Sequence, residues 1–503
     1  MIKNTFLVTI CLILSSVLGF VAQIVFVSSF GASSEMDVYF TLLAVPSIIT
    51  GISPIIFSSV LIPTFAKFKS NQLELNKFID SIWKIILIFA ILFSSIGFFI
   101  SVINLDLLIS ETQANLRNIG IQVSLMIWIG SGFIILSAYL SAILNYNKQF
   151  FKVAWTSLLP ASFMIIIVLL FHTELGVRSI SLGFCIAFVL QFIIFLKASK
   201  VSLNFFSFNI KQIKYKKLLL KQSFLVSLSL LPFSLIAPIA FFLASQLETG
   251  SVSYLGYSQS FAGFLSISVS MGISIVSFPE LADKFAEGKG KLSLYDFELK
   301  LKYVILIALF AAGAFISLKS PILNLIYERG QFDSESVTNL SSVLPWYLIA
   351  GVFSAGLNLL RTLFYSKGEF KSIAILGLIM PIIFFISAGF LKTNFSFVGI
   401  GIANAITFFI LFLSCIYLLK NKELFFLTEN FNFFILKVSL ITLISACITK
   451  LFYNFISNIY SQIPSISVCL LLFSIVYYLS SKFIFKSEEV EAILNFIFRK
   501  IKS

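Results

Sequence analysis

The residues of this 503-residue sequence that are most suited to binding or chemistry are a few charged residues inside long apolar stretches. Arg361 and Lys319 each fall within such a stretch, and Lys437 and Lys450 share another. A charged side chain is costly to bury in apolar surroundings, so each is a functional candidate by default. Arg361 and Lys319 are candidates for binding an anionic group, with snorkelling to an interface as the alternative, whereas snorkelling to opposite faces is favoured for Lys437 and Lys450.

No combination of residues in the sequence indicates catalysis. There is no paired-carboxylate motif, metal-ligand group or phosphate-binding glycine loop, and the one histidine, His172, stands beside Glu174 at the end of an apolar stretch. The five cysteines are single and widely spaced, so we interpret them as small buried hydrophobic residues. The sequence predicts a protein that is not an enzyme and uses no cofactor and no metal.

The composition indicates a membrane protein. Hydrophobic residues make up 59% of the chain, Phe alone supplies 60 residues, and 12% of residues are charged, about half the usual share in a soluble domain. A soluble enzyme and a disordered or fibrous protein are therefore excluded. The net charge of +14 would favour a nucleic acid partner in a soluble protein, but in a membrane protein it reflects loop placement, and no nucleic acid partner is expected.

Fourteen stretches are long and apolar enough to cross a bilayer, which takes about 20 residues of helix. They are approximately 5–29, 38–65, 82–105, 119–145, 154–172, 177–197, 221–246, 254–279, 302–326, 337–364, 372–391, 396–419, 432–456 and 461–485. The first begins like a signal peptide, after Lys3, but it is too long and too many spans follow, so we expect a retained anchor. The sequence predicts an all-α, polytopic membrane protein with fourteen transmembrane helices.

The Lys and Arg residues predict the orientation of these spans. With the N-terminus in the cytoplasm and alternate loops on opposite sides, 28 of the 36 basic residues fall on the cytoplasmic side. The opposite side receives four, which are Arg117, Arg178, Arg329 and Lys392. One miscounted span in the middle would exchange the sides of every later loop and remove this asymmetry. We therefore expect an even number of spans and both termini in the cytoplasm.

Short internal matches predict a duplication. Four residues after span 4 recur after span 10 in the same order and with the same spacing, and two further matches have nearly the same displacement along the chain. The first set is Tyr146, Lys148, Phe151 and Lys152, which recur as Tyr365, Lys367, Phe370 and Lys371. A parallel repeat of six spans predicts two six-helix lobes beside a cleft, and rocking of the lobes gives alternating access.

The repeat divides the chain into four parts. Residues 1–210 form an N-terminal lobe with spans 1–6, residues 211–425 form a C-terminal lobe with spans 7–12, and residues 426–486 hold spans 13 and 14. The tail 487–503 places its apolar residues on one helical face, which predicts an amphipathic helix on the inner leaflet.

Several motifs are spaced along residues 5–420. Residues 15–20, 30–32 and 37–40 are followed by Pro46 and Pro63, and later motifs lie at 250–253, 327–332 and 364–368. In these motifs the sequence resembles the MurJ/MviN family of flippases for an undecaprenyl-linked peptidoglycan precursor, within the multidrug/oligosaccharidyl-lipid/polysaccharide exporter superfamily. The resemblance implies a central cavity lined by spans 1, 2, 7 and 8, and a lipid-tail groove formed by spans 13 and 14.

The sequence departs from this family where the family carries arginine. Ser16 stands where span 1 of the family has arginine, Gln23 stands where the family has the aspartate that follows a second arginine, and Gln259 with Ser260 replaces an Asp-Arg pair. The basic position after Pro46 is Thr50 or Gly51. A diphosphate in a low-dielectric cavity calls for guanidinium partners or helix N-termini, so these losses indicate a more neutral site.

The expected cavity carries hydroxyl and amide side chains suited to sugar hydroxyls, together with one acid and one arginine. Asp37 matches a family acid at the outer start of span 2, where it serves either in gating or as a helix cap. Serine and other small residues also commonly pack transmembrane helices, which is the alternative for each of the polar residues. The candidates for the substrate pathway are Ser16, Gln23, Asp37, Thr50, Ser58, Gln259, Ser260 and Arg361.

The resemblance implies a flippase of the bacterial inner membrane. It would move a polyprenyl-diphosphate-linked saccharide, lipid II or a related glycan precursor, to the outer leaflet, with membrane lipids as its other partners and a monomer as the working form. The lost arginines leave open an O-antigen or exopolysaccharide-unit flippase of the same superfamily. A cation-coupled multidrug exporter is less favoured because spans 7 and 11 contain no Asp or Glu, and a membrane glycosyltransferase because no acidic pair is present.

Overall fold

The structure, a computed structural model, describes residues 2–68, 71–107, 114–199, 216–286, 290–366, 369–421 and 431–484. Within these ranges nearly every residue is helical and no β-strand forms; a single isolated bridge pairs Arg329 with Phe332. Eleven helices of this part of the chain are long and apolar enough to cross a membrane. The prediction of an all-helical, multi-pass membrane protein is confirmed, while the predicted tail helix at 487–503 lies outside the described residues.

Contacts divide the chain into two compact units, Met1–Gly256 and Tyr257–Ser503. The helices of the first unit are α1 (Ile2–Phe30), α2 (Ser34–Ala66), α3 (Gln72–Ile103), α4 (Ala114–Tyr146), α5 (Phe150–Thr156), α6 (Leu159–Leu175), α7 (Arg178–Ser199), α8 (Lys216–Ser234) and α9 (Ile236–Ala244). The division between the units falls inside α10 (Ser251–Ala286). The lobe boundaries expected from the sequence stay a prediction.

The second unit contains the remaining helices. They are α11 (Gly290–Ser317), α12 (Lys319–Tyr327), α13 (Ser334–Ser366), α14 (Phe370–Asn421), α15 (Phe431–Ile456) and α16 (Gln462–Leu479). α14 is not one straight helix, because Ser396 has φ 52° and ψ −140°, values outside the helical region. Two helical segments therefore meet at Ser396.

A glycine precedes α2, and three prolines interrupt the hydrogen bonding within it. Gly31, with a φ of +59°, ends α1 in the left-handed region, and the Ser33 hydroxyl then caps α2 by accepting a hydrogen bond from the Met36 N–H at 3.3 Å. Within α2 lie Pro46, Pro54 and Pro63. Each proline lacks the N–H that would bond one turn back, so α2 exposes backbone carbonyls that a regular helix would use internally.

α4 lies at the centre of the first unit, where it packs against α2, α3 and α7. The Tyr139 hydroxyl donates to the Ile79 carbonyl of α3 at 2.6 Å, and Tyr139 is fully buried. On the α7 side, a Cβ at Gly130 would lie 2.7 Å from the Phe184 ring, so only glycine allows this approach. These contacts fix the face of α4 that the candidate site uses.

Candidate functional site

Asp37 joins the start of α2 to the start of α10. Its carboxylate accepts hydrogen bonds from the backbone N–H groups of Gly250 at 2.6 Å and Ser253 at 2.7 Å, and from the Ser253 hydroxyl at 2.6 Å. The N–H groups at the start of a helix have no partner within it and carry the positive end of its dipole. Asp37 thus caps α10, whereas the cap of α2 is Ser33. We call Asp37, Gly250 and Ser253 the Asp37 clamp.

Gly250 gives the clamp its backbone shape. Residues that carry a side chain rarely adopt its φ of +90°. A Cβ at this position would lie 3.0 Å from the Ala32 carbonyl oxygen. The chain can therefore turn into α10 close beside the start of α2. This turn aims the first N–H groups of α10 at the Asp37 carboxylate.

A cavity of about 530 Å³ lies within the first unit, between α1, α2, α4, α5, α6 and α7. Of the residues predicted for the substrate pathway, Thr50 lines it. Its other polar lining residues are Ser137, Ser141, Asn145, Ser157 and Gln191, and no charged side chain is among the described residues that line it. We call this space the α4 cavity.

The predicted residues of the first unit are spread along α1 and α2. The Ser16 hydroxyl donates to a carbonyl of its own helix at 3.1 Å, and the buried Oε1 of Gln23 finds no hydrogen-bond partner among the described residues. Thr50 and Ser58 follow Asp37 on α2 by about 20 and 30 Å, at a rise of about 1.5 Å per residue. The structure therefore does not gather these five residues into one site.

The three predicted residues of the second unit occupy two helices. Gln259 is exposed and Ser260 half-buried on α10, and Arg361 is half-buried on α13. Lys319, the other anion candidate, donates to the Ser341 carbonyl at 2.7 Å and so joins α12 to α13. Part of the hydrogen-bonding capacity of Lys319 is therefore used within the fold.

A partly buried polar network lies one turn from Arg361. The Asn358 amide donates to the hydroxyl oxygens of Ser270 at 3.2 Å and Ser266 at 3.5 Å, and Ser266 in turn donates to Ser354 at 3.3 Å. These bonds link α10 to α13, as polar side chains commonly do between transmembrane helices. The network fixes the helical face that carries Arg361.

Each half of the chain also contains an acid–lysine pair in which the lysine is buried. The Lys84 ammonium lies 3.1 Å from Asp80 on α3, and the Lys302 ammonium lies 3.3 Å from Glu298 on α11. Glu298 follows Asp80 by the same number of residues as Lys302 follows Lys84. The internal repeat shows this displacement along the chain as well. The cytoplasmic count of 28 basic residues includes Lys84 and Lys302, which the structure buries within α3 and α11.

Comparison with known proteins identifies the family. The model of the family described as lipid II flippase MurJ matches residues 8–471. The chain belongs to this family. A probable lipid II flippase MurJ from Borreliella burgdorferi is 27% identical over 382 residues, which is 70% of this chain and 70% of the relative. Another, from Buchnera aphidicola subsp. Baizongia pistaciae, is 23% identical over 457 residues, 87% of each chain.

The fold agrees with this MurJ assignment. A solved lipid II flippase MurJ in an inward closed conformation has a TM-score of 0.81 to this chain, at 22% identity, and the match covers 96% of this chain and 99% of that one. An inward-facing multidrug resistance MATE family transporter of the MOP superfamily has a TM-score of 0.62 at 16% identity, covering 81% and 95%. The motif resemblance to the MurJ family is confirmed.

Sequence reasoning missed several polar residues of this MurJ family member. Ser137, Ser141 and Asn145 follow a helical spacing on α4, and Ser266 and Ser270 are one turn apart on α10, so their periodicity was the available signal. The expectation that every cysteine is buried is wrong at Cys447, which is exposed on α15. Among the described residues no group of His, Cys, Asp and Glu could hold a metal ion.

Proposed function

We propose that this protein moves a lipid-linked saccharide, lipid II or a related glycan carried on a polyprenyl diphosphate, from the inner to the outer leaflet of the bacterial plasma membrane. The observation that carries this proposal is the MurJ family match over residues 8–471. Translocation of this kind makes and breaks no covalent bond. The protein then works as a transporter by alternating access, and the similarity of its fold to an inward-facing MOP superfamily transporter supports this.

The Asp37 clamp supports alternating access. In the orientation expected from the basic residues, α2 and α10 both begin on the outer side of the membrane. Separating their first turns would break three hydrogen bonds to one carboxylate and leave that charge without its donors. The clamp therefore stabilises a state in which the outer ends of these two helices are held together.

We also propose fourteen spans, with both termini in the cytoplasm and one copy as the working unit. In the sequence, α8 and α9 overlap the predicted span 221–246, and α10 overlaps the predicted span 254–279. The break at Ser396 divides α14 between two predicted spans. The two acid–lysine pairs, which stand at matching places of the repeat, support the duplication. Since one chain carries both halves of the repeat, a single copy supplies both lobes.

A second candidate is a flippase for an O-antigen or exopolysaccharide unit. The observation that favours it is the loss of three family arginines at or beside Ser16, Gln23 and Ser260. Arginine offers a bidentate fork to phosphate that serine and glutamine lack. Of the eight residues predicted for the pathway, Arg361 is the one that is an arginine.

Depletion in the native host distinguishes the two candidates. We expect lipid II to accumulate in the inner leaflet within a few generations, because its exit to the outer leaflet is blocked. The measurement is the leaflet distribution of each lipid-linked saccharide in depleted cells and in cells that carry a plasmid copy. Normal lipid II together with a missing surface polysaccharide would contradict the first candidate and support the second.

A further inference from the structure

The α4 cavity has the size and wall chemistry of a ligand site. Its volume of about 530 Å³ lies within the range of roughly 300–1,000 Å³ that is usual for small-molecule pockets. Apolar and aromatic side chains form much of the wall, among them Phe150, Phe188 and Phe195. Six polar residues, all hydroxyls or amides, are set among them, which is the pattern of a pocket that orients its ligand by a few hydrogen bonds.

Two polar groups of this wall lack the partners that the fold would normally give them. Ser137 is 3% exposed, and its hydroxyl finds no hydrogen-bond partner among the described residues. Pro54, which also lines the cavity, has no N–H for the carbonyl of Thr50 one turn before it. Buried polar groups without partners are unfavourable, so these two groups, which belong to residues that line the cavity, favour a polar ligand there.

The polar face of α4 is specific to the first half of the chain. Ser137, Ser141 and Asn145 lie on one face of the helix, at a spacing of four residues. In the internal repeat, span 10 corresponds to span 4. The residues of span 10 that match these three positions are Gly356, Leu360 and Phe364. Leu360 and Phe364 are fully buried in α13. Since the matching helix is apolar at these positions, helix packing alone does not require the polar residues of α4.

The wall chemistry defines the class of ligand. A charged group inside the cavity would have no counter-charge among the described lining residues, so a neutral group is favoured. A sugar ring carries many hydroxyls, which can bond to the hydroxyl and amide side chains of the wall. Its apolar face can pack against the aromatic rings beside them. Phe150 lines the cavity and is 46% exposed, and its chain neighbours Lys148 and Lys152 are exposed as well. Those lysines could pair with a phosphate next to the sugar.

We propose that the α4 cavity binds one neutral sugar residue of the transported glycan, with Lys148 and Lys152 beside the phosphate that joins the sugar to its lipid. This inference rests on the proposed function and deepens it, because it places the recognition of the saccharide inside the first unit. In the expected orientation, Phe150 and the two lysines lie at the cytoplasmic ends of their helices, where the precursor would enter.

The test measures binding to the purified full-length protein in lipid nanodiscs. One probe is a short-chain lipid II analogue, and the other is a polyprenyl diphosphate of the same chain length without sugar. Ser137→Ala should weaken binding of the saccharide probe by about fivefold, the usual effect of one neutral hydrogen bond. Ser141→Leu, which introduces the residue found in the second half, should fill the cavity and weaken it at least about tenfold. Neither change should alter binding of the bare diphosphate.

Ser131→Ala is the matched control. Ser131 is also a fully buried serine of α4, but its hydroxyl donates to the Ile127 carbonyl of the same helix, and it does not line the cavity. Its substitution should leave both affinities unchanged. Thermal unfolding of every variant in detergent, compared with the unsubstituted protein, separates a lost contact from a misfolded chain.

The outcomes separate this inference from the proposed function. If the unsubstituted protein binds the saccharide probe and both cavity variants bind it equally tightly, the cavity proposal is overturned and the flippase function stands. Equal weakening of both probes would overturn the assignment to sugar. Free N-acetylglucosamine that binds as tightly as the lipid-linked probe would overturn the lipid-linked source. Failure of the unsubstituted protein to bind either probe would overturn both proposals.

Discussion

One carboxylate oxygen of Asp37 accepts two hydrogen bonds from Ser253, at 2.7 Å from its backbone N–H and at 2.6 Å from its hydroxyl. The second oxygen accepts from Gly250 at 2.6 Å. Bonds to an ionised acceptor are shorter and about twice as strong as neutral ones. The start of α10 is therefore held by an acid that lies 216 residues earlier in the chain.

Asp37→Asn should destabilise the protein and impair transport. The amide keeps the size of the side chain but loses the charge and one acceptor, so we expect a loss of about 2 kcal/mol in the free energy of unfolding. Complementation of a depleted host should fail. Ser253→Ala, which keeps both backbone bonds, should have a smaller effect. The measurements are thermal unfolding in detergent and growth of the depleted strain.

Glu335→Gln is the control for the loss of charge in the first turn of a helix. Glu335 lies in the first turn of α13 and is exposed. Since a solvent-exposed first-turn acid contributes at most about 1 kcal/mol, its substitution should leave growth unchanged. Normal growth and an unchanged melting temperature in Asp37→Asn would argue against the clamp.

Gly250→Ala tests the backbone shape of the clamp. A left-handed φ costs a residue with a side chain roughly 1–2 kcal/mol, and the added Cβ would also press on the Ala32 carbonyl. We expect a lower melting temperature and weaker complementation. Gly389→Ala is the control, because no atom lies within 4 Å of a Cβ there, and it should be neutral or slightly stabilising. Equal melting temperatures for the two variants would contradict the expected strain.

Much of the architecture followed from hydrophobic length and basic-residue placement. Long apolar stretches form helices in a membrane, because a helix satisfies its backbone hydrogen bonds within itself. The same reasoning could not foresee the joint between α5 and α6, although Pro160 marks it, or the non-helical Ser396, which carries no such mark. Local breaks of this kind depend on neighbouring helices rather than on hydropathy.

The candidate site was less accessible to sequence reasoning. Asp37 was found from its motif, but its partners lie 213 and 216 residues away, and no local spacing brings such residues together. Thr50 was placed in a pathway from the family resemblance, whereas Ser137 and Ser141 were overlooked because buried serines are common in packed transmembrane helices. What distinguishes them is a cavity, which is a property of several helices at once.

The buried ion pair of α11 should be sensitive to the loss of one partner. Lys302→Met removes the ammonium that lies 3.3 Å from Glu298, a residue that is 1% exposed, and we expect a loss of about 3–5 kcal/mol in the free energy of unfolding. The double variant Glu298→Gln with Lys302→Met should recover much of this loss, because both charges are then absent. The measurement is unfolding of the four proteins of this double-mutant cycle in mixed micelles.

The pair on α3 supplies a matched comparison. The Asp80 side chain is 27% exposed, against 2% for Glu298. Water can therefore solvate the acid when its partner is removed, and Lys84→Met should cost less than Lys302→Met. A larger loss for Lys84→Met would show that burial does not set the energy of these pairs.

Arg361→Ala should reduce transport by at least about tenfold without loss of expression, because an anionic headgroup would lose a half-buried partner. Arg361→Lys keeps the charge but not the planar fork, so we expect partial activity. Arg329→Ala removes an exposed arginine from a loop and is the control. The measurement is delivery of lipid-linked saccharide to the outer leaflet in cells with equal amounts of each variant. Full delivery by Arg361→Ala would remove this residue from the pathway.

Labelling of introduced cysteines tests the fourteen-span topology. Asn104 follows α3, Asn458 lies between α15 and α16, and Asn147 follows α4; all three are exposed. Ten predicted spans separate Asn104 from Asn458, so both should lie on the outer side and react, as cysteines, with an impermeant thiol reagent in intact cells. Asn147→Cys should react only after permeabilisation. The unsubstituted protein measures the background from its own five cysteines. If Asn104→Cys and Asn458→Cys reacted from opposite sides, an odd number of crossings would separate them, and the count of fourteen would be wrong.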